Sequence, residues 1–89
     1  MSDYREWPVG ELCARLAEVC EGEGLWWDLT YYNGTYTIMI DGQGIEEDGD
    51  LQRHPTLADA IDQGFLLIAN LLEMVLTITE NEGYTLEPL

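Results

Sequence analysis

The chain has 89 residues, room for one domain around a single core, and carries 18 Asp and Glu against only Arg5, Arg15 and Arg53, a formal charge of −15. Its 46% hydrophobic residues fall in periodic segments, which excludes a disordered acidic tail. The charge far exceeds the roughly 2 to 8 that solubility asks of a small domain, and it repels both phosphate backbones and anionic lipid, so direct nucleic-acid binding and a membrane role are excluded as expectations.

Residues 8–22, PVGELCARLAEVCEG, set Val9, Leu12, Cys13, Leu16, Val19 and Cys20 at helical spacing, with Pro8 suited to the first turn and Gly22 to the exit. Glu18, Glu21 and Glu23 crowd the C-terminus of this helix, where the macrodipole favours cations and each carboxylate costs about 0.3–1 kcal/mol. Cys13 and Cys20 lie about 10 Å apart along the helix, beyond the ~7 Å reach of a disulfide, and are expected to be free thiols. Free thiols and the lack of a basic, apolar leader, with Asp3 and Glu6 in its place, lead us to expect an intracellular, cytoplasmic protein.

The next segment, LWWDLTYY-NG-TYTIMID, is two alternating runs around Asn33-Gly34, the dipeptide favoured in a two-residue type I′ hairpin. A Tyr32–Thr35 pair sets Tyr31 opposite Tyr36, Leu29 opposite Ile38 and Trp27 opposite Ile40 on one face. It sets Thr30 opposite Thr37 and Asp28 opposite Met39 on the other. Residues 41–50, DGQGIEEDGD, follow with five carboxylates and no cation; Gly42, Gly44 and Gly49 predict a turn, a short third strand over 45–47 and a second turn. Carboxylates on an edge strand discourage pairing with another chain, which explains one or two of the five.

Thr56 and Asp59 form a capping arrangement after Pro55 and open a helix with Leu57, Ile61, Phe65, Ile68, Leu72 and Val75 on one face. Leu66, Leu67 and Met74 widen the apolar surface, so this helix is either sandwiched in the core or shared with a second copy through residues 64–76. Residues 75–79, VLTIT, continue the helix or turn into a strand. The tail beyond Gly83 is polar and is expected to be loose. Residues 64–72 are too few for the ~20 that span a bilayer.

The expected fold is therefore a single α+β domain over residues 1–89: an N-terminal helix, an antiparallel sheet of about three strands, and a long C-terminal helix. Both helices pack on the Trp27, Leu29, Ile38, Ile40 face in a two-layer arrangement, or one helix covers each face. The element order resembles the double-stranded-RNA-binding domain. That module needs basic residues at the start of its second helix, where this chain reads HPTLADAID.

Chemistry finds little material. His54 is the sole histidine and stands beside Pro55 before a helix; Ser2 is the sole serine; Cys13 and Cys20 sit on the apolar stripe, so no nucleophile has a base beside it and no enzyme is expected. Asp41, Glu46, Glu47, Asp48 and Asp50 are oxygen ligands of the type calcium takes, but Gln43, Ile45 and Gln52 fall where an EF-hand starting at Asp41 needs carboxylates. No metal or cofactor is expected.

The charge itself has a physical counterpart. Duplex DNA carries one charge per ~1.7 Å of axis, so fifteen charges correspond to about 26 Å of duplex, near the ~30 Å expected across a compact domain of this length. A rigid surface of that charge density can occupy a cationic groove built for DNA, with the same counterion release and electrostatic steering.

In size, acidity and lack of reactive side chains the chain resembles small phage-encoded inhibitors, namely anti-CRISPR proteins and DNA mimics such as uracil-DNA glycosylase inhibitor. ELCARLAEVCEGEGLWWDLTYY, TYTIMIDG and PTLADAIDQGFLLIANL are similar to the helix, tryptophan-bearing hairpin and second helix of the phage ABA-sandwich proteins, over residues 11–71. That likeness implies a phage origin, hence a bacterial host cytoplasm, and a small α/β sandwich; it brings no catalytic residue.

The sequence thus leads us to expect an inhibitor of a basic, nucleic-acid-binding host defence protein. Asp41, Glu46, Glu47, Asp48 and Asp50 form its phosphate-like row, Glu18, Glu21 and Glu23 a second cluster, and Trp26 or Tyr32 an apolar anchor. The alternative is a phage accessory interaction module whose charge is a solvated surface.

Overall fold

The structure is a computed structural model and describes residues 4–89. Tyr4–Glu6 form a 3₁₀ turn that leads into helix α1, Val9–Glu23. Hairpin β1 (Trp27–Tyr32) and β2 (Thr35–Ile40) follows, then a second hairpin of two-residue strands, β3 (Glu46–Glu47) and β4 (Asp50–Leu51). Helix α2 (Leu57–Leu72) leads directly into a third hairpin, β5 (Met74–Thr79) and β6 (Gly83–Pro88). The class is α+β, as the alternating and helical periodicities require.

Helix α1 exits at Gly24 (φ 71°), two residues later than expected, because that residue takes the left-handed conformation and its N–H meets the carbonyls of Cys20 and Glu21. The buried stripe is Leu12, Leu16 and Cys20. Hairpin β1–β2 has the expected register at every pair, from Trp27–Ile40 to Tyr32–Thr35. Ile38 and Ile40 are buried on its inner face, while Trp26, Thr30 and Tyr32 are exposed on the other side.

Helix α2 is the central element. Thr56 caps it, its side-chain oxygen accepting the Asp59 N–H at 3.1 Å, and Ile61, Phe65 and Ile68 are fully or almost fully buried. It packs on β2, on α1 and on β5. Both helices thus lie on the Ile38 side of the hairpin, α2 directly and α1 chiefly through α2, which is the two-layer arrangement. The closest approach falls at Gly64: a Cβ there would sit 2.7 Å from Ile38 Cδ1 and 3.2 Å from Leu16 Cδ1. Gly64, Phe65, Leu67, Ile68 and Ala69 are buried within one chain, while Leu66 (40% exposed) and Val75 (45%) stay open on the surface of the same segment.

Two expectations need correction, and one alternative left open is decided. The sheet is not a three-stranded ladder: β1–β2, β3–β4 and β5–β6 are separate two-stranded pairs. Gln43 and His54 touch the free edge of β2 only as single bridges, to Ile40 and Tyr36, and between them the chain folds back on itself as the β3–β4 hairpin through the left-handed Asp48-Gly49 turn. The long helix stops at Leu72, where Glu73 adopts a left-handed conformation (φ 54°) that caps it, and the β-branched residues of 74–79 then form β5. Nor is the tail loose. Residues 83–88 are β6, paired from Thr79–Gly83 to Met74–Pro88.

Burial explains that pairing. The Tyr84 ring stacks on Phe65 at 4.0 Å between centroids and 6° between planes, and Tyr4 meets it edge-on at 5.2 Å. The Tyr84 hydroxyl donates to Asp62 at 2.6 Å, Tyr4 to the same carboxylate at 3.2 Å, and Arg5 bridges Asp59 and Asp62. Burial pushes the Tyr84 phenol well above its usual range, and the Arg5 hydrogen bond holds the Asp59 carboxyl below its own.

Two stability outcomes follow from these contacts. Glu73→Gly or Glu73→Asn removes a bulky left-handed residue and a carboxylate from a helix C-terminus, so thermal unfolding should shift up by about 4–8 °C, the equivalent of about 1 kcal/mol. Gly64→Ala gains helix propensity but overpacks the crossing, lowering stability by about 1–2 kcal/mol. Adding Ile38→Val removes the obstructing methyl, so a denaturant-melt double-mutant cycle should show positive coupling between the two sites.

Candidate functional site

The acidic segment is built by turn chemistry. Three Asx-Gly pairs have both residues at positive φ: Asn33-Gly34 (55°, 83°), Asp41-Gly42 (53°, 79°) and Asp48-Gly49 (52°, 87°). Each is bracketed by paired residues, Tyr32–Thr35, Ile40–Gln43 and Glu47–Asp50, which is the type I′ arrangement. Asp and Asn both tolerate this left-handed conformation, so the turns alone explain a short polar side chain at positions 41 and 48 but not its charge. Asn33 makes the same turn uncharged.

The remaining three carboxylates are on the β3–β4 hairpin, where Glu46 lies opposite Leu51 and Glu47 opposite Asp50. Like charges directly opposite in an antiparallel pair are destabilising. With Asp48 in the turn between them, three carboxylates occupy four consecutive positions at the hairpin tip, all exposed. Ile45 packs against the core and its carbonyl accepts the Gln52 N–H at 2.7 Å. Gly44 admits the Leu51 side chain and the Ile38 carbonyl so closely that a Cβ would strike both. Apolar contact and backbone hydrogen bonds hold this hairpin. Among the described residues the salt bridges are those of Arg5 with Asp59 and Asp62, so Asp41, Glu46, Glu47, Asp48 and Asp50 have none.

The structure brings some of the expected residues together and separates others. The Asp41 N–H donates to the Trp26 carbonyl at 2.7 Å, and the Trp26 indole lies over Gly42, 3.4 Å from where a Cβ would stand. Trp26 follows the Gly24 cap of α1 by two residues, so the Glu23 end of that helix, Trp26 and Asp41 converge at one end of the β1–β2 hairpin. Trp26 stays 54% exposed, a half-supported aromatic beside the acidic turn. Tyr32 is equally open, but it stands at the far end of β1 beside Asn33, about 20 Å away along the strand, and does not join the cluster. Glu18, Glu21 and Glu23 are exposed on the last turns of α1, without a basic neighbour in the last turn.

The reactive side chains lie elsewhere. His54 is 7% exposed, and its backbone N–H and carbonyl pair with Tyr36 at 2.8 Å each. Burial pushes the Cys13 and Cys20 thiols up, toward the less nucleophilic protonated form. Among the described residues no three His, Cys, Asp or Glu side chains come together as metal ligands, and no helix is long and apolar enough to cross a membrane.

Sequence patterning sets the register of only the first Asx-Gly turn; the turns at Gly42 and Gly49 are expected from their glycines, but the strands that follow them are too short to show alternation. No protein-family model matches the chain, and no curated protein or solved structure matches it either.

The two acidic turns can be discharged without being broken. Asp41→Asn with Asp48→Asn should leave the melting temperature unchanged or raised, whereas Asp41→Ala with Asp48→Ala should lower it, since each alanine in that conformation costs about 1 kcal/mol. Raising NaCl from about 20 mM to about 500 mM should stabilise the native protein and narrow the gain from the asparagine pair, by screening carboxylate repulsion. Calorimetry of the three proteins at both salt concentrations measures this.

Proposed function

We propose that the protein is an inhibitor that presents an acidic, DNA-like surface to the nucleic-acid-binding cleft of a basic partner, a host defence protein in the anti-CRISPR manner. The observation that carries this reading is the tip of the β3–β4 hairpin. Glu47, Asp48 and Asp50 stand together there, two of them directly across a strand pair, and among the described residues none of them forms a salt bridge. Such an arrangement works against the hairpin's own stability, so its benefit is expected in a complex, where lysine and arginine supply the missing charge.

Dimensions are compatible with the role. The molecule measures 32 × 29 × 20 Å, and its net charge of −15 equals that of about 26 Å of duplex. Asp41 extends the acidic row toward Trp26, which offers an aromatic contact of the kind that anchors interfaces. The partner is a protein with a cationic groove; the inhibitor itself needs no cofactor and no bond-making chemistry.

The test uses the two asparagine turns together with Glu46→Gln, Glu47→Gln and Asp50→Asn, a fivefold amide variant that keeps every backbone hydrogen bond of the segment. Immobilised native protein should retain nucleic-acid-binding proteins from bacterial lysate at low salt, release them to duplex DNA or to about 0.5 M NaCl, and inhibit their DNA binding. The amide variant should retain none of them. A partner that both forms hold, in salt and in the presence of DNA, would remove DNA mimicry from consideration.

A further inference from the structure

The C-terminal half of α1 and the β5–β6 hairpin border an open cleft of about 330 Å³, lined by Glu18, Val19, Gly22, Glu23, Met74 and Leu86. Val19 and Leu86 pack against the core from one side and leave the other toward the cleft, giving it an apolar floor with carboxylates at its rim. Gly22 lies within the helix, is not among the positive-φ residues, and a Cβ on it would meet nothing within 4 Å. Its bare backbone therefore answers no conformational need, and it leaves that side of the cleft open. Charge adds a direction: the last turn of α1 holds no basic residue, so the rim carboxylates reinforce the negative end of the helix dipole.

We propose that this cleft docks a short segment of a protein partner in which aliphatic side chains are flanked by arginine or lysine. The aliphatic groups lie on Val19, Met74 and Leu86; the cationic heads reach Glu18 and Glu23 and complement the C-terminal end of α1. The volume is near the lower end of the ~300–1,000 Å³ range of ligand pockets, enough for one or two side chains and too little for a helix. A second copy of this chain is a poor occupant, since it would bring −15 against −15. Imitation of a duplex needs carboxylates alone and leaves an apolar floor unused, so this contact stands whether or not the acidic hairpin acts as a decoy.

The probe is the peptide acetyl-Arg-Leu-Leu-Arg-amide, titrated into the ¹⁵N-labelled full chain at near-physiological salt. It should shift amide resonances of residues 18–23, 74 and 86, and bind more tightly than acetyl-Arg-Ser-Ser-Arg-amide. Gly22→Leu, which fills the cleft and raises helix propensity, should weaken binding about tenfold without lowering the melting temperature. Glu18→Gln with Glu23→Gln, both exposed positions, should weaken it with the fold intact. No binding at millimolar peptide, equal binding of the serine peptide, shifts confined to residues 41–50, or indifference to Gly22→Leu would each overturn the proposal. So would self-association in sedimentation that Gly22→Leu abolishes, because a second copy would then fill the cleft.

Discussion

The fold depends on the close contact at Gly64. Because that position lacks a side chain, the Ile38 and Leu16 methyl groups both reach the α2 backbone, and hairpin, central helix and first helix interlock at one point. Interiors packed at crystal-like density transmit such constraints, so the depth at which α2 seats against β2 sets where every other element lies. Phe65, the next residue, then meets Tyr84 and draws in the terminal hairpin. Ile61 and Ile68, one helical turn to either side, complete the same buried face.

Apolar contact bears this burden because electrostatics cannot. Of the three arginines, Arg5 clamps Asp59 and Asp62 at the start of α2, Arg15 lies over the Trp7 ring at 5.4 Å, and Arg53, exposed just after β4, forms no salt bridge among the described residues. The clamp neutralises carboxylates next to the core and leaves the peripheral ones uncompensated. Charge is therefore not spread uniformly in its effect: it is offset where the fold would suffer most and left free on the second hairpin and the end of α1. The acidic turn at Asp41 is tied to Trp26, just beyond the end of α1, by the Asp41–Trp26 backbone hydrogen bond.

How much was legible in the sequence varied with the range of the interaction that decides each element. The β1–β2 register followed from Asn33-Gly34 and strict alternation, both local, and α1 and α2 followed from helical spacing. The terminal hairpin was missed because its reason to exist is distant: Tyr84 reads as one aromatic in a polar tail until Phe65, Tyr4 and Asp62 are placed around it. A local cue was present in the alternation of Tyr84 and Leu86 with Thr85 and Glu87, preceded by Gly83 in a left-handed turn (φ 74°). Of the site, the carboxylate-rich hairpin was legible from composition, whereas the convergence of Trp26 with Asp41 required the hairpin to be closed. Tyr32 was grouped with them on type of side chain alone, and strand geometry puts it at the opposite end.

The meeting of the two chain ends has a kinetic side. Tyr4 donates its N–H to the Glu80 carbonyl at 2.6 Å and shares the Asp62 carboxylate with Tyr84, so the first and last aromatic residues finish the same core. A contact spanning nearly the whole sequence is among the slowest kinds to form, since loop closure must precede its reward. Until that closure brings Tyr84 onto it, the central helix stays bare along the Phe65 side, and the two distant aromatics lock in last.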